Sequence, residues 1–157
     1  MFLEKLFGKK DKKEGGSKMS MFCYQCQEAA KGEGCQIQGV CGKKENTAKL
    51  QDLLIYSTKG IAEVVTKGNL DVNELKQVNH QVLTSLFITI TNANFDDDAI
   101  EAQIRKNIAA RNELRAKVST SNLHDAATFE VSSKESMLEK AASIGVLSTE
   151  NEDVRSL

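Results

Sequence analysis

An all-α fold follows from three features of this 157-residue chain. Proline is absent, where average usage near 5% would place about seven or eight, so nothing interrupts a long helix. Apolar residues recur at i, i+3 and i+4 through three successive segments after residue 46. Residues suited to capping stand between those segments. The expected architecture is a cysteine-rich loop, a three-helix bundle and a shorter C-terminal helix.

The composition fits one soluble domain, with 40% apolar and 27% charged residues. A formal net charge of -1 argues against nucleic acid or a membrane surface as the main partner. No apolar run reaches the roughly eighteen residues of a membrane span, and the first residues lack the apolar core and cleavage site of a secretory signal. These features place the chain in the cytoplasm.

Residues 1–20 read as a flexible, basic N-terminal extension. Residues 1–18 carry six lysines (Lys5, Lys9, Lys10, Lys12, Lys13, Lys18) against Glu4, Asp11 and Glu14, with Gly15, Gly16 and Ser17 as a joint. The apolar patch Met1, Phe2, Leu3, Leu6, Phe7 is too short to anchor the chain to a surface. Met19 or Met21 is a natural domain start. Residues 21–45 form the cysteine loop and 46–157 the helical domain.

In that domain Asn46 is the expected cap of a first helix running to Lys67, with Leu50, Leu53, Leu54, Ile61, Val64 and Val65 on one face and Gly68 ending it in the left-handed conformation. Asp71 with Glu74 resembles a capping box opening a second helix, whose stripe is Val72, Leu75, Val78, Val82, Leu83, Leu86 and Ile90. The β-branched stretch from Ser85 to Thr91 keeps the helical period and is assigned to that helix. Asp98 with Glu101 opens a third helix bearing Ile100, Ile104, Ile108, Leu114 and Val118. Residues 119–131 are irregular, and Ser132 with Glu135 starts a shorter helix ending near Gly145. Asn151 then looks like the cap of one more helix, and the chain stops, which suggests part of a longer protein.

All four cysteines fall in one window, Cys23, Cys26, Cys35 and Cys41, spaced C-x2-C-x8-C-x5-C. Gly32, Gly34, Gly39 and Gly42 give the window conformational freedom to fold around a metal. In a reducing compartment such a cluster reads as metal ligands ahead of disulfides. A structural zinc site typically uses two short knuckles, because one ion must be reached by four sulfurs at about 2.3 Å. Only the first pair here is a knuckle, so the spacing favours an iron–sulfur cluster over zinc.

The residues around the cysteines carry a resemblance. Met21-Phe22-Cys23-Tyr24-Gln25-Cys26-Gln27-Glu28, Gly34-Cys35, Gly39-Val40-Cys41-Gly42-Lys43, Leu50 to Tyr56 and Lys59-Gly60-Ile61-Ala62 resemble the opening of the hybrid-cluster proteins, also called hydroxylamine reductases. His124-Asp125-Ala126-Ala127-Thr128, Gly145-Val146-Leu147 and residues 150–157 resemble the same family's first domain. That domain is built of two three-helix bundles, so the resemblance implies that this chain ends as the second begins. It further implies that Cys23, Cys26, Cys35 and Cys41 bind a 4Fe-4S cubane, since members with a longer second gap carry 2Fe-2S. The family's hybrid iron–sulfur–oxygen cluster, where hydroxylamine or nitric oxide is reduced, is held by residues of later domains and has no ligands here. The implied partners are a soluble redox donor protein and the remaining domains of the parent enzyme. A different reading is a stand-alone electron carrier or a zinc-stapled interaction module.

His80, beside the second helix's stripe, and His124, in the irregular segment, read as hydrogen-bonded structural histidines, since nothing pairs them with a nucleophile or second ligand. Asp96, Asp97 and Asp98 lack the ligand spacing of a calcium loop and read as a helix cap. Lys43, Lys44 and Lys49 could raise a cluster's potential or dock an acidic donor, but the preferred reading is an ordinary solvated face.

Overall fold

The computed structural model describes residues 19–91, 95–151 and 153–154. Four α-helices carry the fold: α1 (Glu45–Lys67), α2 (Lys76–Ile90), α3 (Asp97–Arg115) and α4 (Lys134–Ile144). Among the described residues the only extended pairing is one antiparallel bridge between Cys23 and Cys35, and the all-α expectation holds. The expected N-terminal extension lies outside the described residues except for Met19 and Ser20. Ser20 is already tied down, its amide donating to the Gln36 carbonyl at 3.1 Å.

Helix α1 is the axis on which the others pack. Leu50, Leu53 and Leu54 share a core with Ile100, Ile104 and Ile108 of α3 and Met137 and Ala141 of α4. Further along, Ile61 and Val64 join Leu114 and Ala127, with Val78 and Val82 of α2 against them. Each fully buried aliphatic side chain contributes about 1.5–3 kcal/mol, so the periodic stripes of α1 and α3 hold the two helices together.

The helix ends differ from expectation in instructive ways. The first helix starts at Glu45, before Asn46, and Lys44 enters it in extended conformation without a side-chain cap. A turn that closes at Lys43 delivers the chain into the helix early. Gly68 is right-handed, and the left-handed residue is Asn69 at φ 50°. The Leu70 amide then bonds the Val65 carbonyl and the Asn69 amide the Thr66 carbonyl, which is a Schellman motif with Asn in the glycine's usual place. Gly68 is needed for space instead, since a Cβ there would lie 2.7 Å from Val118 Cγ1. Asp71 caps only the short 3₁₀ turn Val72–Glu74. The cap of α3 is Asp96, whose carboxylate accepts the Asp98 and Ala99 amides at 3.0 Å. The cap of α4 is Ser133, with Ser136 completing a reciprocal capping box in place of Ser132 and Glu135. Near the end of the chain Asn151 does act as a cap, accepting the Val154 amide at 3.1 Å.

Helix α2 buries only part of its apolar stripe, Val78 and Val82 packing on the second core cluster. Its fully buried residues are Ser85 and Thr89, whereas Leu83, Phe87 and Ile90 are 65%, 61% and 62% exposed. The cause is a polar centre shared by three helices. The Asn107 Nδ2 donates to Ser57 Oγ at 2.8 Å and to Ser85 Oγ at 3.0 Å. Its Oδ1 accepts from Gln81 Nε2 at 2.9 Å, and Gln103 Nε2 donates to Ser85 Oγ at 3.0 Å. Buried polar groups must be paired, and this pairing turns Ser85 inward and the leucines outward.

The irregular segment is fixed by contact with α1 and α3. Its 3₁₀ turn Asp125–Ala127 presses so closely on α1 that a Cβ on Gly60 would lie 2.0 Å from the Ala126 carbonyl oxygen. Buried Arg111 donates to that same oxygen at 3.3 Å and to Glu130 Oε1 at 2.8 Å, with its guanidinium 5.0 Å from the Phe129 ring centroid. Tyr56 donates its hydroxyl to Asp125 Oδ2 at 2.7 Å, and Lys140 pairs with the same oxygen. The lysine, and then the tyrosine, hold the Asp125 carboxyl below its ordinary range.

Three outcomes follow from this packing. Gly60→Ala should destabilise the chain by at least about 2 kcal/mol in urea unfolding, because backbone and not a flexible side chain must yield; an unchanged midpoint would show that the turn is loosely held. Asn107→Ala leaves Gln81 and the two serines short of partners and should cost about 2–3 kcal/mol. Asp52, in a crevice of α1 facing Gly145, has its carboxyl pushed up to about 6 by burial, partly offset by Lys43. The folded state therefore holds that proton more tightly than the unfolded chain, so this group's contribution to stability is full below about pH 4 and is lost as pH rises through about 6. Asp52→Asn should remove that slope and gain on the order of 2 kcal/mol at pH 7, measured by unfolding at pH 4.5 and pH 7.5.

Candidate metal centre

The cysteine window folds as two arms docked on the first turns of α1. Met21 and Cys35 pack on Ala48 as a small buried cluster with Cys23 and Ala30 at its edge. The arms are joined where Cys23 and Cys35 exchange backbone hydrogen bonds at 3.0 and 2.8 Å. That pairing fixes the first and third cysteines of the window on one frame.

Each remaining part of the loop has a local cause. The Ala29 amide donates to the Cys26 carbonyl at 3.3 Å, turning the chain after the C-x2-C knuckle. Gly34 stands at φ 116°, with the Phe22 ring 2.8 Å from where a Cβ would be, so the aromatic ring lies flush on backbone next to Cys35. Cys41 sits on a turn closed by Gly39 N–H to Lys43 O and Gly42 N–H to Gly39 O, both 2.8 Å. Gly32, Gly34 and Gly42 use positive φ as expected. Gly39 serves differently: its missing side chain makes room for Cys41 Sγ, 3.1 Å from the Cβ position.

All four thiols are free, with Cys35 buried, Cys23 and Cys26 half-buried and Cys41 exposed. Among the described residues no three His, Cys, Asp or Glu side chains are gathered tightly enough for one metal ion. The donor set is sulfur only, and two sulfurs already receive N–H groups. The Ala30 amide points at Cys35 Sγ at 3.5 Å, and Lys43 Nζ at Cys23 Sγ, also at 3.5 Å. Donors aimed at sulfur suit thiolates that carry negative charge. The loop thus fits an anionic, thiolate-bound group.

The other candidates are structural. The His124 Nδ1 accepts the Ala126 amide at 3.0 Å, and its ring stands edge-on to Tyr56 at 6.0 Å. His80, read from the sequence as a hydrogen-bonded structural histidine beside the stripe, is instead exposed on α2. Asp96 caps α3, Asp97 accepts from Thr47 Oγ1 at 2.7 Å, and Asp98 pairs with Lys134 at 3.1 Å. Of the three lysines, Lys44 is exposed and Lys49 pairs with Glu45. Lys43 departs from the solvated-face reading: it is 1% exposed, with its Nζ also 3.4 Å from Gln25 Oε1. A lysine in a run of two beside a glycine carries no sign of burial in the sequence; only the fold of the loop back over α1 produces it.

Comparison with known proteins gives the family. Residues 21–157 match the model of the Prismane/CO dehydrogenase family. A hydroxylamine reductase of Acetivibrio thermocellus is 64% identical over 139 residues, covering 88% of this chain and 26% of that protein. Those of Clostridium perfringens and Desulfovibrio desulfuricans are 49% and 50% identical, again over 88% of this chain and 27% and 26% of theirs. The chain spans about a quarter of the length of these curated relatives. With the family model covering everything from the cysteine window onward, the chain belongs to the Prismane/CO dehydrogenase family, as its N-terminal part.

Proposed function

We propose that this chain is the N-terminal, 4Fe-4S-binding, electron-transferring portion of a hydroxylamine reductase. The observation that carries this reading is the loop itself: four free thiols within residues 23–41, two of them locked by the Cys23–Cys35 backbone pair and approached by N–H donors. Cys23, Cys26, Cys35 and Cys41 would hold the cluster, which would supply one-electron storage there. Phe22 and Met21 keep water from its inner side. Cys41 stands exposed beside exposed Lys44, so a soluble donor protein would approach from that side.

The catalytic step belongs to polypeptide beyond these residues, because the relatives named hydroxylamine reductases are about four times as long. The outward apolar face of α2, Leu83, Leu86, Phe87 and Ile90, supports packing of further domains there. The four free thiols call for a reducing compartment, which makes the cytoplasm the expected location. No helix among the described residues is long and apolar enough to cross a membrane.

Anaerobic purification tests the reading. A brown chain with about four irons and matching acid-labile sulfide, and broad absorbance near 400 nm, is expected; any one of the four Cys→Ala variants should lose or convert the cluster. Colourless protein with a single zinc would overturn it in favour of a stapled interaction module. The isolated chain should not reduce hydroxylamine, and measurable turnover would overturn its assignment as a portion of the enzyme.

A further inference from the structure

We propose that Lys43 is a positioning residue: a buried countercharge that donates to the Cys23 sulfur and raises the reduction potential of the group bound there. The inference rests on the iron–sulfur reading above and adds to it a residue that binds no metal.

The geometry is specific. Lys43 leaves the loop two residues after Cys41, yet its Nζ reaches the opposite end of the window, 3.5 Å from Cys23 Sγ and 3.4 Å from Gln25 Oε1. One side chain therefore ties the last cysteine's turn to the first cysteine's arm. Its backbone takes part too, since the Lys43 carbonyl closes the Gly39 turn at 2.8 Å. At 1% exposure the ammonium has lost its water. Burial of a cation without an ion pair is costly, and the neighbours present offset it only in part: an amide oxygen, a sulfur, and the Asp52 carboxyl in the adjoining crevice. A thiolate-ligated cluster supplies the missing negative charge at the atom the ammonium already faces. In such a low-dielectric position the attraction is weakly screened. Adding an electron makes the cluster more negative, so the cation stabilises the reduced form more than the oxidised one. Lys44, next in sequence but exposed, lacks every one of these features.

The test compares Lys43→Met, Lys43→Gln, Lys43→Arg and Lys44→Met with the wild-type chain, each purified anaerobically. Iron and sulfide are assayed first, and the midpoint potential is then read by EPR-monitored redox titration. Absence of a cluster from the wild type would sink the iron–sulfur reading itself. With clusters loaded, the neutral Lys43 variants should titrate at lower potential by the equivalent of a tenfold or greater weakening of reduction, about 59 mV for a one-electron couple. Lys43→Arg should restore the value, and Lys44→Met should leave it unmoved. Coincident midpoints for Lys43→Met and wild type, or an equal shift from Lys44→Met, would overturn the proposal. If neither neutral variant holds iron, loading of Lys43→Arg upholds the countercharge, and its failure alongside them assigns Lys43 to packing alone.

Discussion

Helix α1 is hemmed in along its length by α3, α4, the Asp125–Ala127 turn and α2, and its first turns carry the cysteine loop. Its buried face is the constraint to which the other elements answer. It accounts for the glycine at position 60, where helix propensity alone would favour alanine by roughly 1 kcal/mol. The Ala126 backbone occupies the space a side chain would need. The cost in helix propensity permits a loop to close over the axis, and Arg111, Tyr56 and Lys140 then hold that loop by its carbonyl and carboxylate groups.

The same axis connects packing to chemistry. Ala48, on α1, is the floor on which Met21 and Cys35 rest, and Asp52 one turn later meets both the crevice toward α4 and the charge of Lys43. Thr47 reaches Asp97 at the start of α3. The loop is therefore not an appendage stapled by its ligands. Its backbone pairing and its buried lysine rest on a helix whose own core is formed with α3 and α4.

Polar groups, more than apolar ones, decide how α2 sits. Asn107 at the bundle centre demands partners from two other helices, and an unpaired buried amide costs more than an exposed leucine gains. The consequence is a helix with serine and threonine inward and a row of large apolar residues on the surface. Such a face is unusual on an isolated domain and is natural on a part of a longer protein.

Sequence periodicity by itself determined the four helices among the described residues, the extent of α1 and α3 to within a few residues, and the core that joins them, because burial of an aliphatic stripe is governed by spacing that can be counted. The cysteine spacing and its flanking motifs likewise picked out the cysteine window and the family. Tertiary structure alone decided the rest. Which of three aspartates caps α3 depends on where the chain arrives from, and Asn69 takes the left-handed place while Gly68 makes room for Val118. The orientation of α2 follows from hydrogen bonds between residues far apart in sequence. Lys43 reads as one more solvated charge until the loop folds back and sets its ammonium against Cys23. Local pattern reports propensity and burial, but the pairing of buried charges and amides is settled only when distant segments meet.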